Sequence, residues 1–114
     1  MFCLVSAEPT HAIITLMWTP EQIETTLQRI LPRVSKPGRY YGGEYNQIRK
    51  NWDDCDFKVA LAFPDTYDLG MSNLGMMILY DIINKYDNLA AERTYSPWYD
   101  MEEQMRDLGM PLYS

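Results

Sequence analysis

Phe57-Lys-Val-Ala-Leu-Ala-Phe-Pro-Asp-Thr-Tyr-Asp-Leu-Gly-Met-Ser-Asn-Leu-Gly75 reads as a buried strand, a polar glycine-containing turn and the first turn of a helix. The apolar run Val59 to Phe63 is too short for a helix and lacks strict alternation, the pattern of a strand covered on both faces. Pro64 has no N–H for a sheet ladder and ends the strand. Ser72 is the expected N-cap of a helix over 73–86, with Leu74, Met77, Ile78, Ile82, Ile83 and Tyr86 at helical spacing as its apolar set. Asp65, Asp68, Gly70, Ser72, Asn73 and Gly75 then gather at the carboxyl end of a parallel strand, where open α/β sheets bind ligands. Gly70 can adopt positive φ and Gly75 permits close approach, so that exposed amides near the helix start favour an anion. The bland reading is a tight strand-to-helix turn, with Asp65 bracing its own backbone.

Downstream, Leu89 to Tyr95 reads as a second strand. Ser96-Pro97 resembles a cap followed by proline at the first helical position. Trp98, Met101, Met105 and Leu108 share one face of the next helix, whose early turns carry Asp100, Glu102 and Glu103 as the macrodipole favours. Gly109 suits the position just past its end. Met110 to Tyr113 reads as the start of a third strand. The resulting β-α-β-α-β order is half of a doubly wound, Rossmann-like parallel sheet of the α/β class.

Upstream, Thr19-Pro-Glu-Gln22 is a complete helix opening, with a threonine cap, proline at the first position and Gln22 closing a capping box. Ile23, Leu27, Ile30 and Leu31 form one face, and Pro32 ends the helix. Residues 33–51 change character: Arg33, Lys36, Arg39, Arg49 and Lys50 accompany one acid, Glu44, with Pro37-Gly38, Gly42-Gly43, Tyr40, Tyr41 and Tyr45 interleaved. Arg39, Arg49 and Lys50 are the candidate contacts for an anion or RNA by charge and stacking. The weightier expectation is a loop whose tyrosines pack on the sheet and whose cations pair with nearby acids, because the patch is not dense by nucleic-acid standards.

Three segments of this sequence, I-L-P-R-V-S-K-P-G-R-Y-Y-G-G-E-Y-N (30–46), F-P-D-T-Y-D-L-G-M-S-N-L-G (63–75) and S-P-W-Y-D-M-E (96–102), together resemble the amino-terminal region of a family of radical SAM proteins. Members carry a cobalamin-binding-like domain ahead of a radical SAM barrel, and the resemblance runs from about Met17 to Ser114. It implies a division into 1–16, a doubtful leader or disordered tail; 17–56, a helix and Gly/Tyr/Arg loop; and 57–114, an incomplete cobalamin-binding-like α/β domain. It also implies a longer parent with a carboxyl-terminal barrel as this segment's partner, holding a [4Fe-4S] cluster and S-adenosylmethionine and, as a further implication, cobalamin; with it, Asp65, Asp68, Gly70, Ser72, Asn73 and Gly75 become candidate contacts for a cofactor tail or substrate group. The cluster needs C-x-x-x-C-x-x-C, whereas this chain has Cys3 and Cys55 alone. The D-x-H-x-x-G motif that supplies cobalt with a histidine in many cobalamin domains is absent too. This segment is therefore expected not to be catalytic by itself. A small non-catalytic α/β module binding an anionic ligand, RNA or a protein partner is the competing class.

Composition bounds the rest. The 114 residues allow one small domain, and 46% hydrophobic with 23% charged residues argues against disorder along the whole chain. A net charge of −6 speaks against general binding to nucleic acid or anionic membranes. Two separated cysteines give neither a disulfide framework nor a metal signature, which points to a reducing cytoplasm. Cys55 among Asp53, Asp54 and Asp56 mixes one soft thiol with hard carboxylates, a poor ligand set. The eight methionines and nine tyrosines read as packing residues. His11, the one histidine, lies in the leader, so no Ser/His or Cys/His apparatus can be assembled. That leader has neither the basic start nor the uninterrupted apolar core of a secretory signal, leaving Met17 as the expected initiator or 1–16 as a tail. The Gly70–Gly75 turn is neither a Walker motif nor G-x-G-x-x-G.

Overall fold

The computed structural model describes residues 2–6 and 18–113. Its centre is the strand quoted first: β2, Phe57–Phe63, pairs in parallel with β3, Leu89–Tyr95, and antiparallel with β1, Phe2–Ser6, in the order β1-β2-β3. The β2–β3 register aligns Val59 with Ala91 and Phe63 with Tyr95, and the β1–β2 register aligns Leu4 with Ala60. Phe2–Ser6 thus form an edge strand inside what the sequence marks as a doubtful leader. Met17 as initiator, His11 and residues 7–16 lie outside the described residues.

Helix α1, Pro20–Ile30, opens as expected: Gln22 N–H donates to Thr19 Oγ1 at 3.2 Å, and Thr19 N–H donates to Gln22 Oε1 at 2.8 Å. A 3-10 turn, Leu31–Arg33, follows at Pro32. A one-turn helix α2, Tyr67–Gly70, stands between β2 and helix α3, Leu74–Asn84; helix α4 spans Tyr99–Leu108. Among the described residues no helix is long and apolar enough to cross a membrane.

Two apolar clusters hold these elements. Val59, Leu61, Met76, Tyr80 and Ala91 form one between sheet and α3. Ile30, Leu31, Val34, Met101, Met105 and Met110 form the other between α1 and α4, with Trp18, Ile23 and Leu27 against it. Asp100 joins the elements of the second cluster, accepting from both the N–H and the hydroxyl of Ser35 at 2.8 Å.

The structure corrects the sequence reading at several points. The α3 face that meets the sheet is Met76, Leu79, Tyr80, Ile83 and Asn84, while Leu74, Met77, Ile78, Ile82 and Tyr86 are exposed. This helix is apolar around most of its circumference, so periodicity alone does not choose the face. The choice follows from two polar side chains that find backbone partners only on the inner side. Tyr80 Oη accepts from Ile48 N–H at 2.9 Å, and the Asn84 amide exchanges two bonds with Ala91, at 3.0 and 3.1 Å.

The cap of α3 is Asn73, whose Oδ1 accepts from Met76 N–H at 2.9 Å; Ser72 instead donates its hydroxyl to the Leu69 carbonyl. Helix α4 starts two residues later than Pro97, after Trp98 and without a side-chain cap. Gly109 does take the left-handed conformation, φ 63°, at its end. The third parallel strand does not form at 110–113. Met110 is buried among the helices, its N–H returns to the Met105 carbonyl at 2.8 Å, and the Tyr113 carbonyl takes the Thr94 hydroxyl at 2.7 Å. The segment is occupied in closing α4 and packing. The parallel sheet among the described residues therefore has two strands, one β-α-β unit in a mixed α/β fold, in place of the expected β-α-β-α-β order.

Candidate functional site

Pro64 ends β2 and sends the chain through Asp65–Ser72, so the predicted turn lies at the carboxyl end of the parallel pair. Its polar groups are already engaged. Asp65 Oδ1 accepts from Thr66 N–H at 2.7 Å and the Asp65 carbonyl accepts from Ser96 N–H at 2.9 Å, tying the turn to the end of β3. Asp68 pairs with Arg39. Gly70 is helical and not at positive φ; a Cβ there would lie 2.5 Å from the Tyr95 ring and 2.9 Å from Phe63, so glycine is required by close packing. A Cβ on Gly75 would lie 3.3 Å from Asn73 Oδ1. Asp65, Asp68, Gly70, Ser72, Asn73 and Gly75 are thus contiguous, and each one's described bonds or close contacts are within the protein.

Arg39, Arg49 and Lys50 do not converge. The Arg39 guanidinium lies over the Trp98 ring, 5.5 Å from its centroid, and its buried Nε faces the Asp68 carboxylate without hydrogen-bond alignment. Lys50 Nζ donates to the carbonyls of Tyr86 and Leu89 at 2.6 and 2.7 Å. Arg49 is exposed.

The concavity at this end of the sheet sits beside the turn. A cavity of about 120 Å³ lies between the end of β3, α2 and the 38–44 loop, with Tyr113 closing one side. Its polar lining includes Glu44, Tyr67, Glu92, Arg93 and Tyr95, with Arg39, Gln47 and Thr94 beside them. Arg93 pairs with Glu44 and rests on the Tyr80 ring, 4.3 Å from its centroid. Burial alone would lower the Arg93 pKa, but Tyr95, Glu44 and Tyr80 outweigh it and hold the guanidinium above its ordinary value. Tyr67 and Tyr95 meet edge to face at 5.3 Å. Burial, reinforced by the neighbouring Glu44 carboxylate, pushes Tyr67 up to about 12, and burial also raises Tyr95, so both phenols stay protonated at neutral pH. The Tyr95 hydroxyl is buried without a hydrogen-bond partner among the described residues. Glu92 also lines the cavity, and burial pushes its carboxyl up. Sequence reading missed this constellation because residues 44, 67, 93 and 95 come from three separate segments; the signal available was the charged pair Glu92-Arg93 inside a strand.

Among the described residues no grouping of three His, Cys, Asp or Glu side chains could hold a metal ion. The buried Cys55 thiol faces the carbonyls of Asn51 and Asp87. One thiol in a carbonyl environment does not fit an iron–sulfur cluster, which is held by several thiolates.

A family model described as the N-terminal region of radical SAM proteins matches residues 75–114, the span of α3, β3 and α4. The match supports a radical SAM amino-terminal region for this part of the chain and does not extend to a cobalamin-binding-like domain. No curated protein and no solved structure matches the chain.

Proposed function

We propose that this chain is the amino-terminal segment of a radical SAM iron–sulfur protein, non-catalytic alone, whose α/β unit docks on a barrel carried further along the parent. The family match over residues 75–114 carries the reading. On it, the [4Fe-4S] cluster and S-adenosylmethionine belong to the parent, because the sequence offers two cysteines where the cluster motif needs three. The test is to read the natural frame past Ser114 and assay the anaerobically purified product for iron and sulfide. A C-x-x-x-C-x-x-C motif with about four irons per chain is expected. A stop codon at position 115 together with a metal-free product would overturn the reading and leave a small binding module.

The finer part of the reading, a cobalamin-binding-like domain, rests on the parallel β2-α3-β3 unit and the turn that follows β2. Titration of the natural product with hydroxocobalamin tests it. Co-elution through gel filtration supports the domain, and separate elution of the corrin removes it.

A further inference from the structure

We propose that the wall formed by Arg93, Tyr67 and Tyr95 is a binding site for a small carboxylate, occupied in this state by the chain's own Glu44, which a carboxylate ligand displaces. The inference is independent of the radical SAM reading and concerns residues 38–44, Tyr67 of α2 and the end of β3.

Four observations carry it. Arg93 is held in place before any ligand arrives, since its guanidinium lies over the Tyr80 ring and its side chain is only 14% exposed. An arginine fork so fixed is shaped for a carboxylate. Secondly, the fork is underused: of its five N–H donors, only Nη2 has a hydrogen-bond partner among the described residues, Glu44 Oε2. Thirdly, Tyr67 and Tyr95 line the same cavity as Glu44, and the Tyr95 hydroxyl is buried, protonated and without a partner among the described residues. Donors thus exceed the acceptors that Glu44 supplies, and an unsatisfied buried donor is costly.

Fourthly, Glu44 sits directly after a pair of glycines that can serve as a hinge. It follows Gly42 and Gly43, both at positive φ (64° and 74°), with nothing within 4 Å of where their Cβ atoms would be. The adjoining cavity of about 120 Å³ has room for the body of a small acid. It is close to the engineered cavity of roughly 150 Å³ that accommodates benzene. Removing the resident carboxylate from competition should strengthen ligand binding, because apparent affinity scales with the fraction of sites that stand open.

The experiment titrates the 114-residue chain with sodium acetate and sodium benzoate against matched chloride, reading heat of binding and amide exchange over residues 38–47. The expected result is weak, saturable binding that speeds exchange in 38–47. Glu44→Gln should bind at least about tenfold more tightly, and Arg93→Met in the Glu44→Gln background should lose the gain. Glu44→Asp, with its carboxylate drawn back by one methylene, should lie between and decides the matter if Glu44→Gln does not fold. Three outcomes would overturn the proposal: no gain on changing Glu44, binding that survives loss of Arg93, or binding that leaves exchange in 38–47 untouched. Inorganic phosphate binding as well as acetate would overturn the carboxylate assignment.

Discussion

Gly70 shows how a single hydrogen atom in place of a methyl sets the geometry of the turn. The Tyr95 ring passes so close that a Cβ would sit at 2.5 Å, and Phe63 closes the other side at 2.9 Å. Neither ring can swing away freely, since Tyr95 is packed edge to face on Tyr67 and both Phe63 and Tyr95 abut the sheet cluster. Gly70→Ala is therefore expected to destabilise by about 1–3 kcal/mol through overpacking, read as a lower denaturant midpoint with unchanged slope. A second residue-scale prediction concerns pH. Hydrogen bonds from the Ser35 N–H and hydroxyl hold the Asp100 carboxyl below the usual range. A depressed native pKa gives stability that is complete above the unfolded value of about 3.9 and is lost as pH falls through the native one. Asp100→Asn should therefore flatten the acid limb of the stability curve below about pH 4 and change its shape little near neutrality, as followed by thermal melts from pH 2 to 7.

Elements differ in how much of their structure local sequence dictates. Helix α1 was legible to the residue at its start, because Thr19, Pro20 and Gln22 satisfy their own backbone and need nothing distant. The bounds of β3 were legible because breakers bracket it, Asp87-Asn88 before and Ser96-Pro97 after. Helix α3 was legible as a helix but not in its orientation, and β1 was illegible because strand pairing across fifty residues leaves no mark on five of them. The single turn of α2 was too short to show periodicity. At the site, the contiguous turn was readable and the cavity beside it was not, since its wall is assembled by the fold. The edge of β3 makes the same point. The Asn84 amide takes the backbone N–H and C=O of Ala91, and Lys50 takes the Leu89 carbonyl, so part of an edge that sequence leaves bare is covered by side chains. Asn84→Ala should leave two buried backbone groups without partners and cost about 1–3 kcal/mol. Amide exchange at Ala91 should rise more than at Val59, which separates loss of the edge contact from general loosening.

At the scale of the molecule, the unusual property is an apolar surface that the fold leaves outside. Leu74, Ile78 and Ile82, at spacings of four along α3, are 68%, 48% and 47% exposed, with Met77 and Tyr86 beside them and Leu69 and Met71 just before the helix. Asp81 and Lys85, the charged residues on this helix and its cap, are paired with each other and do little to break the stripe. An isolated soluble domain rarely presents contiguous apolar surface beyond a few hundred Å², and a helix apolar on all sides belongs inside a larger body. The net charge of −6 provides some mutual repulsion, but beyond roughly 8 Å at physiological salt that repulsion is screened. The 114-residue chain alone is thus expected to associate with rising concentration and rising salt, since salt weakens the repulsion and leaves the apolar attraction. Ile78→Lys with Ile82→Lys should suppress association without lowering the melting midpoint by more than a few degrees, because neither side chain is in the core between sheet and helix. Sedimentation equilibrium at two salt concentrations checks this. A wild-type chain that remains monomeric at millimolar concentration and high salt would show that the exposed face of α3 is not adhesive, and association that persists in the double variant would place the contact elsewhere, with the free edge of β3 beyond Ala91 as the next surface to block.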